Sequence, residues 1–121
     1  ICEPDMLLPI QYALTYPNRQ PMRKASFDFR RHSAMTFEPI DKEAFVCFAL
    51  AEYALKEGKS YPCVLNAAGE ALVERFLTGS IRWTDIGRHL ERIIASHTPV
   101  DLVSLEAILD IDKAARAKAH D

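Results

Sequence analysis

The sequence DKEAFVCFALAEYALKEG at residues 41–58 carries the signals of one complete amphipathic helix. Asp41 is a favourable N-cap residue, Lys56 lies in the last turn, and Gly58 is favourable just beyond a helix C-terminus. Between these ends, apolar side chains recur with a period of about 3.6 residues, at Phe45, Phe48, Ala49 and Tyr53. Because burial of each large apolar side chain contributes about 1.5–3 kcal/mol, we expect this stripe to pack against other helices.

Three more helices are predicted after this one. The first covers about residues 62–77 and is stopped by Gly79. The next has Thr84 as its N-cap and ends before Pro99, and the last has Ser104 as its N-cap. The side chains predicted to be buried together are Phe45, Phe48, Leu72, Phe76, Ile86, Leu90, Leu105 and Ile108.

The region before residue 41 has a different character, since it contains five of the seven prolines. Residues 5–14 predict a short helix with Pro9 near its first turn. Residues 15–40 predict an extended linker, with room for a short strand at Phe27–Phe29. A connection of this length usually runs between domains rather than within one. The predicted fold is therefore all-α: a small four-helix bundle preceded by an extended linker and a short N-terminal helix.

The composition describes a globular chain. Of its 121 residues, 49% are hydrophobic and 26% are charged, and the net charge of −2 provides no overall field that would attract nucleic acid or an acidic membrane. The apolar runs are far shorter than the roughly 20 residues of a membrane span. We therefore expect neither a nucleic-acid nor a membrane partner. One basic cluster, interpreted as a solvated linker or a patch facing a neighbouring domain, contains Arg19, Arg23, Lys24, Arg30, Arg31 and His32.

The three cysteines, Cys2, Cys47 and Cys63, are odd in number and widely spaced, without a C-x-x-C pair. This usage favours a reducing compartment and ordinary thiols over disulfides or a metal site. We therefore expect a cytoplasmic protein.

No catalytic motif stands out. The four glycines form neither G-x-G-x-x-G nor a phosphate-binding loop, and no histidine has a second histidine four residues further on. The carboxylates lie at predicted helix starts and on exposed faces, where capping and solvation account for them. Asp112 and Arg116 are spaced to pair on the last helix. The residues alone predict no catalytic residue, no metal site and no bound cofactor.

Several short segments occur in a specific order along nearly the whole chain. Residues 3–19 read EPDMLLPIQYALTYPNR, and residues 64–70 read VLNAAGE. The other segments are Phe27-Asp28-Phe29, Met35-Thr36-Phe37, Phe76-Leu77-x-Gly79-x-Ile81, Thr84-Asp85-Ile86, Ser104-Leu105-Glu106-x-Ile108-Leu109 and Asp112-x-x-Ala115-Arg116. As an ordered set they resemble the C-terminal portion of the 1-deoxy-D-xylulose 5-phosphate reductoisomerase family. Leu7 stands where that family commonly has Arg, and Gly69 where it usually has Asn.

The resemblance implies a part of an NADPH-dependent enzyme that uses Mg²⁺ or Mn²⁺. Such enzymes convert 1-deoxy-D-xylulose 5-phosphate to 2-C-methyl-D-erythritol 4-phosphate in the non-mevalonate isoprenoid pathway. Residues 1–17 would be the tail of the central catalytic domain, residues 18–40 the linker, and residues 41–121 the C-terminal helical bundle domain. The upstream NADPH-binding and catalytic domains would be its partners, and a homodimer is left open.

The resemblance also implies roles for two residues. Pro4 and Met6 would line the pocket in which nicotinamide and substrate meet in the parent enzyme, although Met6 could instead merely pack a turn. No catalytic residue, metal ligand or bound cofactor is expected within this fragment, which would be structural and inactive alone. The alternative is an independent helical protein-interaction module. The first residue, Ile1 rather than Met, favours a truncated chain.

Overall fold

The computed structural model describes residues 5–21 and 27–121, and within those ranges it contains five α-helices and no β-strand. The helices are α1 (Leu7–Thr15), α2 (Val46–Glu57), α3 (Tyr61–Leu77), α4 (Trp83–Ala95) and α5 (Leu105–His120). The prediction of an all-α fold, with a short N-terminal helix followed by four longer ones, is confirmed. The chain forms two compact units, Ile1–Glu38 and Pro39–Asp121.

The first unit contains α1, which buries none of its nine residues. At the end of α1, the Thr15 hydroxyl lies 3.0 Å from the carbonyl oxygen of Gln11. The strand predicted at residues 27–29 is wrong. Asp28 Oδ1 instead accepts the backbone N–H of Arg30 at 2.9 Å and forms a turn. Asp often bonds the backbone two residues further on, in competition with a strand ladder.

The second unit is organised around α3, which contacts α2, α4 and α5. Its core consists of Ala54, Tyr61, Val64, Ala67, Ala68, Ala71, Leu72, Ile86, Leu90, Ile93, Ile94, Ala115 and Ala119. Many of these residues are alanines, and small side chains at a contact allow helix axes to approach closely. Every buried apolar side chain of the described residues therefore lies between Ala54 and Ala119.

About half of the predicted core is correct. Leu72, Ile86 and Leu90 are buried, and Phe76 is partly buried and packs against the core. The prediction is wrong for Phe45, Phe48, Leu105 and Ile108, which are exposed. All four lie in or just before the first turn of α2 or α5, whereas those helices bury Ala54, Ala115 and Ala119 nearer their C-terminal ends. The two helices thus pack against α3 nearer their C-terminal ends than the apolar stripes suggest.

Two helix starts differ from the prediction. Asp41 Oδ1 accepts two backbone N–H groups, of residues 43 and 44, so it closes a separate turn before α2 begins at Val46. The N-cap of α4 is Arg82 rather than Thr84. Asp85 Oδ2 accepts the Arg82 backbone N–H at 3.0 Å, so a carboxylate in the first turn satisfies the group that precedes the helix.

Three predicted end residues, Ser104, Gly58 and Gly79, are confirmed. Ser104 Oγ accepts the Ala107 N–H at 3.2 Å at the start of α5. Gly58 and Gly79 follow α2 and α3 with φ of 66° and 77°, in the region that glycine adopts most readily.

Candidate functional site

Of the two residues predicted to line a substrate pocket, the structure describes only Met6. Pro4 lies outside the described residues. Met6 is the N-cap residue of α1, and its side chain is 69% exposed. Next to it, the Leu7 backbone N–H donates to Asp5 Oδ1 at 2.6 Å. Met6 is thus an accessible side chain at a helix start, and its role in a pocket stays a prediction.

Residues 5–21 and 27–121 contain no cluster of three His, Cys, Asp or Glu side chains that could hold a metal ion. Two histidines already have hydrogen-bond partners. His89 Nδ1 lies 2.6 Å from Arg92 Nη2, and His97 Nε2 lies 2.7 Å from Ser60 Oγ. Burial raises the pKa of the Cys63 thiol, which favours the neutral thiol over the nucleophilic thiolate.

An apolar groove of ≈ 740 Å³ lies between α2 and α3; it is called the α2–α3 groove below. Its lining includes Ala51, Leu55, Leu65, Gly69, Val73 and Leu77. A Cβ atom placed on Gly69 would meet nothing within 4 Å beyond its own helix backbone, so the groove is open at this residue. Leu55 and Leu77 are 81% and 76% exposed. Most of the lining is apolar, and of the two carboxylates that also line the groove, Glu70 and Glu74, the first is paired with Arg116.

An ionic network joins α3 to α5 at the edge of this groove. Arg116 Nη2 lies 2.6 Å from Glu70 Oε2, and Arg116 Nε lies 2.8 Å from Asp112 Oδ1, which confirms the predicted pair. The hydrogen bond from Arg116 holds the pKa of Glu70 below its usual value. The Asp112 and Glu70 carboxylates in turn raise the pKa of Arg116. Since the charges satisfy one another, the network ties two helices together.

A second polar group joins the start of α3 to the connection between α4 and α5. Ser60 is fully buried, and its Oγ accepts the backbone N–H of Val100 at 2.9 Å. The same oxygen contacts His97, whose ring packs edge-on against Tyr61 with ring centres 5.3 Å apart. Ser60, His97 and Val100 are called the α3–connection clasp below.

The groove, the Glu70–Arg116 bridge and the clasp were not predicted from the sequence. The bridge joins positions 46 residues apart, and Ser60 and His97 are 37 residues apart. No local spacing reveals such contacts. Gly69 inside a helical pattern was the one available signal of an open site, because glycine weakens a helix interior.

Comparison with known proteins identifies the family. The family model described as "DXP reductoisomerase C-terminal domain" matches residues 1–118. The 1-deoxy-D-xylulose 5-phosphate reductoisomerase of Protochlamydia amoebophila is 48% identical over 117 residues, which are 97% of this chain and 30% of that protein. The Chlamydia trachomatis enzyme is 42% identical over 118 residues, with 98% and 31% covered.

Solved structures agree. The reductoisomerase of Zymomonas mobilis in complex with NADPH superposes with a TM-score of 0.82 at 38% identity, covering 99% of this chain and 32% of that one. A reductoisomerase in complex with NADPH, fosmidomycin and magnesium gives a TM-score of 0.72 at 32% identity, covering 97% and 31%. This chain therefore spans about a third of the relatives it matches. Among the described helices, none is both long and apolar enough to cross a membrane. The chain belongs to the 1-deoxy-D-xylulose 5-phosphate reductoisomerase family and corresponds to its C-terminal domain.

Proposed function

We propose that this chain serves as the C-terminal structural domain of an NADPH-dependent enzyme that converts 1-deoxy-D-xylulose 5-phosphate to 2-C-methyl-D-erythritol 4-phosphate. The observation that carries the proposal is the family match over residues 1–118, at 48% identity to one relative. Because the chain corresponds to only 30% of that relative, the reaction requires polypeptide that is not in this sequence. The helical domain contributes support rather than chemistry.

The cofactors are assigned to the upstream part of the enzyme. Two related structures are described with NADPH, and one of them also with magnesium. A divalent metal needs several oxygen ligands that converge, and no such group of side chains occurs in the described parts of this chain. The sequence also lacks the glycine-rich turn that commonly cradles a dinucleotide. These residues therefore do not fit either cofactor, and no catalytic step is assigned to them.

The first unit is proposed to contact the upstream catalytic domain of the same polypeptide. In α1, Leu7, Ile10 and Leu14 are spaced on one helical face, and all three are at least half exposed. Such a stripe normally packs against a partner surface. On this assignment residues 1–17 end the catalytic domain, residues 18–40 form the linker, and residues 41–121 form the helical domain. Pro4 and Met6 would then line the nicotinamide and substrate pocket of the complete enzyme.

A cytoplasmic location is part of the proposal. Its support is the cysteine usage: three widely spaced cysteines without a C-x-x-C pair favour a reducing compartment. Formation of a homodimer stays a prediction for sedimentation measurements on the complete enzyme.

A chimeric enzyme tests the proposal directly. The matching C-terminal region of the Zymomonas mobilis enzyme would be replaced by this chain, and NADPH oxidation would be followed with 1-deoxy-D-xylulose 5-phosphate and Mg²⁺. We expect substrate-dependent oxidation. Leu72→Ala in the chimera should reduce the folded, active fraction, because Leu72 is fully buried. Val103→Ala, at an 87% exposed position, is the matched control and should leave activity unchanged.

A folded chimera without activity would contradict the proposal. It would favour the alternative, an independent helical interaction module, for which the α2–α3 groove is the available surface.

A further inference from the structure

Ser60 holds an unusual position for a serine at a helix start. It is the N-cap residue of α3, yet its side chain makes no capping hydrogen bond to that helix. A serine N-cap usually accepts a backbone N–H from the first turn of its own helix. Here the oxygen accepts the N–H of Val100 instead, 40 residues away. The hydroxyl thus fastens the α4–α5 connection to the start of α3.

Ser60 Oγ takes part in two hydrogen bonds, one with the Val100 N–H and one with His97 Nε2. The Val100 N–H must donate, so Ser60 Oγ is the acceptor in that bond. The single hydroxyl hydrogen of Ser60 is then left for His97 Nε2, at 2.7 Å. Nε2 can accept this hydrogen only when it carries no proton itself. A neutral His97 with its proton on Nδ1 is therefore the state in which the Ser60 hydroxyl hydrogen has an acceptor at this contact.

Protonation of His97 breaks this arrangement. Nε2–H would then have to donate to Ser60 Oγ, which would receive two donors while its own hydrogen pointed into a fully buried site. A buried polar hydrogen without an acceptor is unfavourable. Protonation therefore favours separation of the His97 ring from Ser60.

The surroundings of His97 also oppose its positive charge. Tyr61 packs against the ring from α3, and Tyr53 of α2 stacks edge-on with Tyr61 at 5.3 Å. From α5, Lys118 and His97 line the same small cavity. No carboxylate forms an ion pair with His97 anywhere in residues 5–21 and 27–121. Burial, and then the Lys118 ammonium, lower the pKa of His97 from its usual value.

We propose that the α3–connection clasp is a proton-controlled fastening, closed when His97 is neutral and released when His97 is protonated. The direction of the pH dependence follows from the linkage between protonation and folding. The folded state favours neutral His97, so the stabilisation is fully present above the pKa of an unfolded histidine, about 6.5. It is lost as the pH falls through the lower pKa of the folded state. Release frees the connection around Val100 while leaving the alanine-rich core of α3 packed.

The histidine tautomers provide the first test. In NMR spectra of the full chain with labelled histidine, His97 should be the Nδ1–H tautomer near about pH 7.5, where an unshifted histidine is mostly neutral. His89 should be the opposite tautomer, because Arg92 Nη2 donates to its Nδ1 at 2.6 Å. The two rings thus serve as internal references for each other. An Nε2–H tautomer for His97 would overturn the proposal.

Amide hydrogen exchange provides the second test. After correction for intrinsic exchange, protection of the Val100 amide should fall about five- to tenfold from about pH 7.5 to about pH 5, the equivalent of one net hydrogen bond. Protection of the Leu72 amide, in the core of α3, should change less. His97→Gln keeps a side-chain acceptor but cannot titrate in this range, so it should remove the pH dependence at Val100.

His89→Gln is the matched control and should leave that pH dependence intact. Ser60→Ala removes the acceptor itself, so a folded Ser60→Ala variant should lose Val100 protection at every pH. If that variant does not fold, the comparison of His97→Gln with His89→Gln carries the test alone. If the protection of the Val100 amide depends on pH equally in the unsubstituted chain and in His97→Gln, the proposed clasp is refuted.

Discussion

Two helices of this chain, α1 and α3, resemble each other in sequence and differ in burial. Both have a proline near their start, and both are rich in apolar residues. However, α1 buries none of its residues, whereas α3 buries six and contacts three other helices. Local sequence signals are therefore sufficient to indicate a helix, but they do not indicate whether its partner is present. In α3 the partners are α2, α4 and α5; for α1 the proposed partner is the upstream part of the enzyme.

The largest expected effect separates these two helices directly. Leu72→Ala should lower the free energy of unfolding by about 2–5 kcal/mol, because it leaves a cavity at a fully buried site of α3. Leu14→Ala is the same chemical change in α1, at an 82% exposed position, and should cost less than about 0.5 kcal/mol. Urea unfolding of the full chain followed by circular dichroism measures both. Similar losses for the two variants would mean that α1 belongs to the same folded core.

A second pair of substitutions separates the effect of backbone conformation from the effect of the space around the residue. Gly58 has φ 66° and ψ −139°, a conformation almost restricted to glycine, so Gly58→Ala should cost about 1–3 kcal/mol. Gly69 lies inside α3 with open space around it, so Gly69→Ala should stabilise the chain by about 0.5–1 kcal/mol. The same change thus has opposite signs at two sites where a Cβ meets nothing within 4 Å. Loss of stability in Gly69→Ala would contradict the open space that the structure shows around Gly69.

The smallest effect concerns the start of α4. Hydrogen bonds from Arg82 lower the pKa of Asp85, so its contribution to stability is present above the pKa of an unfolded aspartate, about 3.9. It is lost as the pH falls through the lower pKa of the folded state. Asp85→Asn should therefore be less stable than the unsubstituted chain at neutral pH. The difference in unfolding free energy between the two should shrink in acid. Urea unfolding of both chains at several pH values measures this, and Glu91→Gln, at an exposed position on the same helix, controls for the loss of one carboxylate charge.

The sequence predicted the helices well and their packing only in part. Ser104, Gly58 and Gly79 were assigned correctly because capping and left-handed backbone depend on nearby residues. Phe48 and Ile108 were wrongly placed in the core because an apolar stripe does not show where along a helix its neighbour lies. The packing of α2 and α5 through alanines near their C-terminal ends is a tertiary property.

The candidate site was less accessible to sequence reasoning than the fold. The family resemblance pointed to Pro4 and Met6 because those residues lie in a recognisable segment. The clasp and the Glu70–Arg116 bridge join distant positions and left no local pattern. The α2–α3 groove depends on the side chains that two helices leave unpaired, which is settled only when both are in place.

The central proposal is that this chain supplies the C-terminal helical domain of a reductoisomerase and that it holds no catalytic residue or metal ligand of its own. The most direct measurement follows NADPH absorbance with the purified 121-residue chain, 1-deoxy-D-xylulose 5-phosphate and Mg²⁺, and uses the complete Zymomonas mobilis enzyme as the positive control. We predict no oxidation above the rate without protein, and no measurable NADPH binding. Metal-dependent turnover by the isolated chain would contradict the account, because the described residues would then have to form a catalytic site that their side chains do not provide.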